Sequence, residues 1–433
     1  MKITAGNLSD GRAVTLVNAL SATLDKLTPE QAVARALEPI KDEVSSYSRI
    51  FVIGFGKASF GMYRGLRRVV DRSLAASAII VPEYQHIENP FAELTVLRGT
   101  HPFPGESTQK SSQQIIDRIR GVRRDDLVIV LISGGSSSLF EIPVEGLSMD
   151  HLSSVTKCLM ASGENISTLN SARKLMSRVK GGGLLGMISP ARSLSLIISD
   201  VPGDDLSLVG SGPTVRDSGP DKKEKERILD LIGRCDPTAR EAVEKAATAK
   251  RSEISPAATN MLILRNQDFV EEMCAELLKT GEKAVSMGSG ITGDVEELSG
   301  RILKTLRERY SREKIGFWFV MGGESTSKVV GQGRGGRNQE LAARLALKML
   351  PGEDCVFMSA GTDGIDGNSD AMGAVVYPGV FRNLKPGDVE SSLKRSDIGT
   401  LLGNISSTLF SGPTGNNVSD IMAGFYCGIR KDS

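Results

Sequence analysis

Short runs rich in valine, isoleucine and leucine recur along the chain, each closed by a turn-forming residue and many followed by a helix-like pattern. The first set is "RIFVIGFG", "ASAIIVP", "LTVLRG", "DLVIVLISGG" and "SLSLIISD". A later set is "NMLILRN", "KAVSMGS", "GFWFVMGG" and "CVFMSAG". Between them lie amphipathic stretches such as "STQKSSQQIIDRIRGV" and "QDFVEEMCAELLKTG". Unbroken apolar runs suit strands buried on both faces, and their alternation with helices argues for parallel α/β sheets with ligands at the strand carboxyl ends.

Two sets of strands imply two α/β lobes, and 433 residues are ample for two cores. The polar stretch 221–258 separates them, with "DKKEKERILDLI" read as a solvated helix. The expected division is a larger domain over 1–250 and a smaller one over 251–399, with the segment from about 400 to 433 returning to the first.

The 53 basic and 52 acidic side chains leave a formal net charge of +1, which speaks against nucleic acid and against a polybasic membrane contact. Aromatics are 5% of residues, too few for base-stacking platforms. The five cysteines lie far apart with no CxxC pair, so unpaired core thiols in a reducing cytoplasm are expected. "MKITAGNLSDGRAVTLVNAL" has no charged and apolar leader pattern, and no stretch approaches the roughly 20 apolar residues of a membrane span. The expectation is a cytoplasmic protein acting on small molecules, with self-association left open.

Glycine loops supply the first candidate residues. "VIGFGKASFGM" follows a strand but fits neither nucleotide fingerprint. Phe51 stands where a P-loop needs its first glycine and Ala58 follows Lys57; Ser59 stands at the third position of GxGxxG. Lys57, just past a strand end, is suited to neutralising a transferring phosphoryl group. "LISGGSSSLFEIP" offers a loop of Ser133, Gly134, Gly135, Ser136, Ser137 and Ser138, whose N–H and hydroxyl donors suit a polyphosphate. "GQGRGGRNQELAARLAL" runs glycines, two arginines and Asn338 into a helical pattern, the arrangement that holds anions at helix N-termini. Gly335, Gly336 and Asn338 are its candidate anion contacts, with Arg337 as a planar fork for carboxylate or phosphate.

Carboxylates cluster at strand ends. Asp200 and Asp204 follow "SLIISD", Glu324 follows "FVMGG", and Asp363, Asp366 and Asp370 lie in "SAGTDGIDGNSD". Such turns suit magnesium, which takes one or two protein carboxylates and fills the rest with water and phosphate. Among the histidines, His101 lies in a Pro/Gly-rich loop and could line a pocket, while structural or surface roles are the expectation for the three.

Six blocks then stand in order: "GTHPFPGESTQKS", "TLNSARKLMSRVKGGGLL", "SDVPGDDLSLVGSGPT", "GGESTSKVVGQGRGGRNQELA", "GTDGIDGNSDAMGA" and "SGPTGNNVSDI". Together they resemble the glycerate 2-kinase family, whose C-terminal part, here about 310–425, is the MOFRL domain. The resemblance implies ATP-dependent phosphorylation of D-glycerate at its 2-hydroxyl with a divalent metal such as Mg²⁺. It also implies two Rossmann-like α/β domains with mostly parallel sheets and a site in the interdomain cleft. It gives Lys57 and Arg337 essential roles and brings Asp200, Asp204 and Glu324 into family blocks. One departure is "SGGSSSL", where the family commonly has a third glycine at the position of Ser136. Arg337 would bind either the glycerate carboxylate or the moving phosphoryl group. Asp200, Asp204, Glu324 and Asp363 form the candidate metal set, with Asp200, Glu324 or Asp363 as the group that accepts the hydroxyl proton. The competing readings are an NAD(P)H-dependent hydroxypyruvate reductase and a non-catalytic binding protein for a sugar acid or nucleotide.

Overall fold

A computed structural model describes residues 2–6, 8–216, 219–248 and 258–429. The chain divides into two compact units, Pro29–Leu264 and a second made of Met1–Thr28 with Arg265–Ser433.

In the unit Pro29–Leu264, six strands form one wholly parallel sheet. Its spatial order is Leu94–Gly99, Ala76–Pro82, Ile50–Phe55, Leu127–Ile132, Arg192–Ile198 and Ala258–Leu264. In order of occurrence along the chain this is 3-2-1-4-5-6, the doubly wound order. Ile50–Phe55 and Leu127–Ile132 are buried at every position, which is why they read as unbroken apolar runs. The core includes Ile53, Ile80, Val130 and Ile197, with Phe55 stacked on Phe140 at 4.2 Å between ring centroids. The run "NMLILRN", assigned above to the second lobe, is the sixth strand here, paired through Ser195 with Asn260 and its neighbours. A short apolar run carries no mark of the sheet it joins. The boundary therefore falls at 264, and the first 28 residues belong to the other unit rather than to a domain 1–250.

The stretch 221–258 is not a solvated connector where it is described. Helices Lys222–Cys235 and Pro237–Thr248 pack with Met149–Ala161 and Ile166–Leu175. Their common core includes Val155, Leu159, Leu169, Ile228, Ile232 and Val243. Residues 249–257 lie outside the described residues. A disulfide joins Cys158 to Cys235, while Cys274, Cys355 and Cys427 are free. This corrects the expectation of five unpaired thiols, because two cysteines 77 residues apart meet only once their helices pack. The closed loop predicts about 4.5 kcal/mol of stabilisation in the chain-entropy picture. Reductant, or Cys158→Ser, is expected to lower the unfolding midpoint by on the order of 10 °C in scanning calorimetry; an unchanged midpoint would show that the bridge constrains nothing.

The second unit holds an eight-stranded mixed sheet, ordered Thr4–Ala5, Thr408–Phe410, Gly373–Val376, Glu353–Gly361, Asp420–Ile429 and Phe317–Thr326. Beyond these, Ala284–Ser286 and Ile291–Asp294 both pair parallel with Phe317–Thr326. Every other pairing is antiparallel, so the expectation of mostly parallel sheets holds for one unit and fails for this one. The final segment does not return to the first unit. Asp420–Ile429 lies between Glu353–Gly361 and Phe317–Thr326, in the middle of this sheet. Helices Gly11–Lys26 and Asn266–Leu278 pack together in this unit, the first capped by the Asp10 carboxylate, which accepts from Arg12 N and Ala13 N. Helices Val295–Glu313 and Arg337–Lys348 pack together, their core including Leu303, Leu341, Phe319 and Phe357.

Candidate active site

The strands Ile50–Phe55 and Leu127–Ile132 are neighbours at which the strand order reverses, the point where open α/β sheets bind ligands. The two loops that leave them interlock. Lys57 N donates to Gly134 O (2.9 Å), and Ala58 N donates to Ser133 Oγ (3.1 Å). Lys57, half-buried, is thereby fixed at the switch point beside the 133–138 loop.

The serines divide in an unforeseen way. Ser133, Ser136 and Ser138 are buried. Ser136 Oγ donates to Phe55 O (3.3 Å) and to Ser133 O, and Ser138 Oγ donates to Gly135 O (3.0 Å). The Ser136 and Ser138 hydroxyls, turned onto backbone carbonyls, hold the shape of the loop. Ser137, half-buried, shares a hydrogen bond with Ser211 Oγ (3.3 Å). Ser136 starts the short helix Ser136–Leu139, so it needs no left-handed backbone; Gly135 before it takes φ +85°. Room for the extra side chain comes from Gly210, where a Cβ would lie 2.9 Å from Ser136 Cβ.

His101 closes on the same loops: a Cβ on Gly135 would meet its ring at 3.2 Å and Lys57 Cγ at 3.5 Å. Burial, then the Lys57 charge, lowers its pKa to about 4, so the ring is neutral near pH 7. Asp200 lies two residues beyond the strand Arg192–Ile198, and Asp204 follows in the turn, its N donating to Val201 O (3.1 Å).

The second candidate group lies within the other unit, around Arg337 at the start of Arg337–Lys348. Arg337 Nε and one Nη donate to both oxygens of Asp420 (2.7 and 3.1 Å), and the other Nη donates to Glu324 Oε1 (2.6 Å). Burial alone would lower the guanidinium pKa, but Asp420 and Glu324 carry it well above its ordinary value. A guanidinium has five N–H donors. Among the described residues three are engaged this way, leaving one on each terminal nitrogen for a ligand.

The glycine loop before Arg337 is not an open anion cradle. The carboxylate of Asp366 already sits at the helix N-terminus, accepting from Asn338 N (3.0 Å) and Gln339 N (2.9 Å). Gly335 N donates to Asn368 Oδ1 (2.9 Å), and Arg334 N to Asp397 Oδ1 (2.9 Å). A Cβ on Gly336 would stand 2.4 Å from Asp366, so this glycine permits close packing. Asn338 is buried, its amide donating to Asp366 and Asp420 and its oxygen accepting from Ser359 (2.5 Å). Gly335, Gly336 and Asn338 thus build the support beneath Arg337. Asp420 is the residue here to which the sequence assigns no role, while Asp366, grouped with the turn carboxylates that suit magnesium, is the acid at the helix N-terminus. Asp420 opens its apolar run, whereas Asp200 follows one, so the strand-end signal used for Asp200 does not reach it.

Magnesium needs oxygen donors, and the four expected carboxylates differ in fitness. Glu324 is bound to Arg337, and Asp363 Oδ1 accepts from Ile365 N (3.1 Å) in its own turn. Asp200 and Asp204 share one turn and have the right chemistry for a magnesium ion that arrives on nucleotide phosphates. Among the described residues no three carboxylate, histidine or cysteine side chains cluster as a self-contained metal site. No described helix is long and apolar enough to cross a membrane.

Residues 15–247 match a family described as a domain of unknown function (DUF4147), and residues 317–420 match the MOFRL family. The chain is 38% identical to a glycerate 2-kinase of Picrophilus torridus, over 95% of each chain. It is 34% identical to a putative hydroxypyruvate reductase of Agrobacterium vitis, over 87% of this chain and 86% of that one. A crystal structure of glycerate kinase from Thermotoga maritima superposes with a TM-score of 0.85 at 28% identity, covering 96% of this chain and 99% of that one.

Proposed function

The chain belongs to the glycerate 2-kinase family, and on that premise we propose that it transfers the γ-phosphoryl group of ATP to the 2-hydroxyl of D-glycerate, giving 2-phosphoglycerate and ADP. The observation that carries this reading is end-to-end similarity to named glycerate 2-kinases, with Lys57 interlocked to the serine loop at the switch point.

Phosphoryl transfer asks for positioning and charge stabilisation more than for covalent help. The glycerate 2-oxygen attacks the γ-phosphorus, the bond to the β–γ bridging oxygen breaks, and ADP departs with that electron pair. Lys57 neutralises the γ-phosphoryl oxygens as charge moves onto the leaving group. The backbone of the 133–138 loop, held rigid by its own inward hydroxyls, supports the nucleotide phosphates. Arg337 offers its two remaining N–H donors to a planar or tetrahedral anion, the glycerate carboxylate or the phosphoryl group itself. Magnesium, when bound, screens the phosphate charge, and Asp200 and Asp204 are the oxygens that would hold it. Asp200 is also placed by sequence to take the hydroxyl proton. Asp200→Asn separates the two roles: a metal ligand raises the Mg²⁺ concentration needed for half-maximal rate, whereas a base lowers kcat by about 10²–10⁴-fold at saturating Mg²⁺.

The 3-2-1-4-5-6 strand order is also that of dinucleotide folds, which keeps the reductase reading in play. Against it, Ser59 occupies the third glycine position, its buried hydroxyl donating to Gly56 O (2.8 Å). An ATP-dependent reaction belongs to the cytoplasm, where reducing conditions would work against the Cys158–Cys235 bridge.

Phosphorus NMR of the purified protein with ATP, Mg²⁺ and D-glycerate is the test. A 2-phosphoglycerate signal rising with ADP is expected. A 3-phosphoglycerate signal overturns the position of transfer. No product, together with NADH or NADPH oxidation by hydroxypyruvate, would replace the kinase with the reductase.

A further inference from the structure

A cavity of about 980 Å³ lies wholly within the unit Pro29–Leu264 and takes no part in the chemistry above. It is far larger than a three-carbon acid requires and sits at the upper end of small-molecule sites. Part of its wall is the helical layer over 222–248: Lys225 comes from Lys222–Cys235, and Val243 and Ala246 come from Pro237–Thr248.

The lining has two characters. Ile142, Val144, Met187 and Val243 give apolar surface. Arg178, Lys225 and Lys245 bring positive charge, against which Glu145 is the one lining acid among the described residues. Lys180 connects the cavity to the catalytic loop: it borders the cavity, while its Nζ donates to Ser137 O (2.8 Å) and pairs with the buried Glu141 carboxylate. A ligand that fits this combination has an apolar part and several negative charges.

We propose that this cavity holds the base and ribose of the nucleotide phosphoryl donor, with the polyphosphate leading past Lys180 toward residues 133–138. The base lies against the apolar wall, and Gln109, also in the lining, offers an amide to its edge. Arg178 and Lys225 face the phosphate charge. The proposal rests on the kinase reading and adds the place where the donor is recognised.

Two measurements test it. Irradiation with 8-azido-ADP should label peptides containing residues 142–147 or 243–246, and unlabelled ADP should suppress the label. Calorimetric titration with ADP should show at least tenfold weaker binding to Ala246→Trp, which fills the cavity. Arg178→Ala, at an exposed position and leaving the apolar wall intact, should weaken ADP about tenfold, and it decides the matter if the tryptophan variant does not fold. The KM for glycerate should stay within about twofold in Arg178→Ala. Label found only outside the cavity, or wild-type ADP affinity in both folded variants, overturns the subsite; continued 2-phosphoglycerate formation would show that the kinase reading survives. If the wild-type protein neither binds ADP nor phosphorylates glycerate, the kinase reading falls and this proposal falls with it.

Discussion

Lys57→Ala is expected to lower kcat by about 10²–10³-fold with both substrates saturating, the loss that follows removal of one preorganised donor at a developing charge. The backbone contact that ties residue 57 to Gly134 O does not depend on the side chain, so the melting temperature should hold. Arg337→Ala should behave differently. Besides a loss in kcat/KM of about 10³-fold, it strands the buried Asp420 carboxylate, which accepts two hydrogen bonds from that guanidinium. Breaking such a pair typically costs about 3–5 kcal/mol. Lys57 and Arg337 therefore differ in what their removal does to the fold, because only Arg337 is tied into this buried ion cluster. Arg337→Lys is the discriminating variant: it returns charge to Asp420 but not the fork. It should recover most of the stability while kcat/KM stays about 10²-fold low. Near-wild-type kinetics in Arg337→Lys would mean that a point charge suffices and that the two remaining N–H donors do no recognition. A change in KM for glycerate alone would make Arg337 a ground-state binder.

The contrast between these two residues shows what the chain made legible. Lys57 and the 133–138 loop follow strands buried on both faces, and such runs announce themselves as unbroken apolar sequence. The strand ends, and so the loops that follow them, could be read directly. Arg337 also follows glycines, but there the same signal had another cause. Glycine serves anion binding when its N–H faces a ligand, and equally serves close packing when a second segment must approach. Asp366 makes that approach, and it is itself the anion at the helix N-terminus. No local pattern distinguishes the two uses, because the partner lies some 30 residues away in sequence. The same limit explains the strand Asp420–Ile429. Its first seven positions are buried, as a parallel strand's would be, yet both of its pairings are antiparallel. Burial pattern reports how many faces are covered and says nothing of direction. Cys158 and Cys235 met for a reason of the same kind, the packing of helices that looked independent.

Lys180→Met is expected to cost about 3–5 kcal/mol, read as a lower urea midpoint with an unchanged slope. Both members of the Lys180–Glu141 pair are buried. Burial pulls the ammonium pKa below its ordinary value, with the Glu141 carboxylate opposing that pull. The carboxylate also accepts from Ser177 Oγ (2.5 Å), so methionine would leave a buried charge with one neutral donor in this network. Glu141→Leu in the same chain removes that orphan. The double variant should regain much of the lost stability, because an ion pair replaced whole by apolar side chains is often close to neutral. What it cannot regain is the bond from Lys180 Nζ to Ser137 O, which anchors the serine loop to this buried pair. Stability and function should therefore part in the double variant: a midpoint near wild type, with the KM for ATP raised several-fold and the KM for glycerate little changed. If the double variant recovers stability and ATP affinity together, the pair is a packing element and the loop keeps its shape through its own serines. If it recovers neither, the cost lies in volume and strain at the site, and charge has little to do with it.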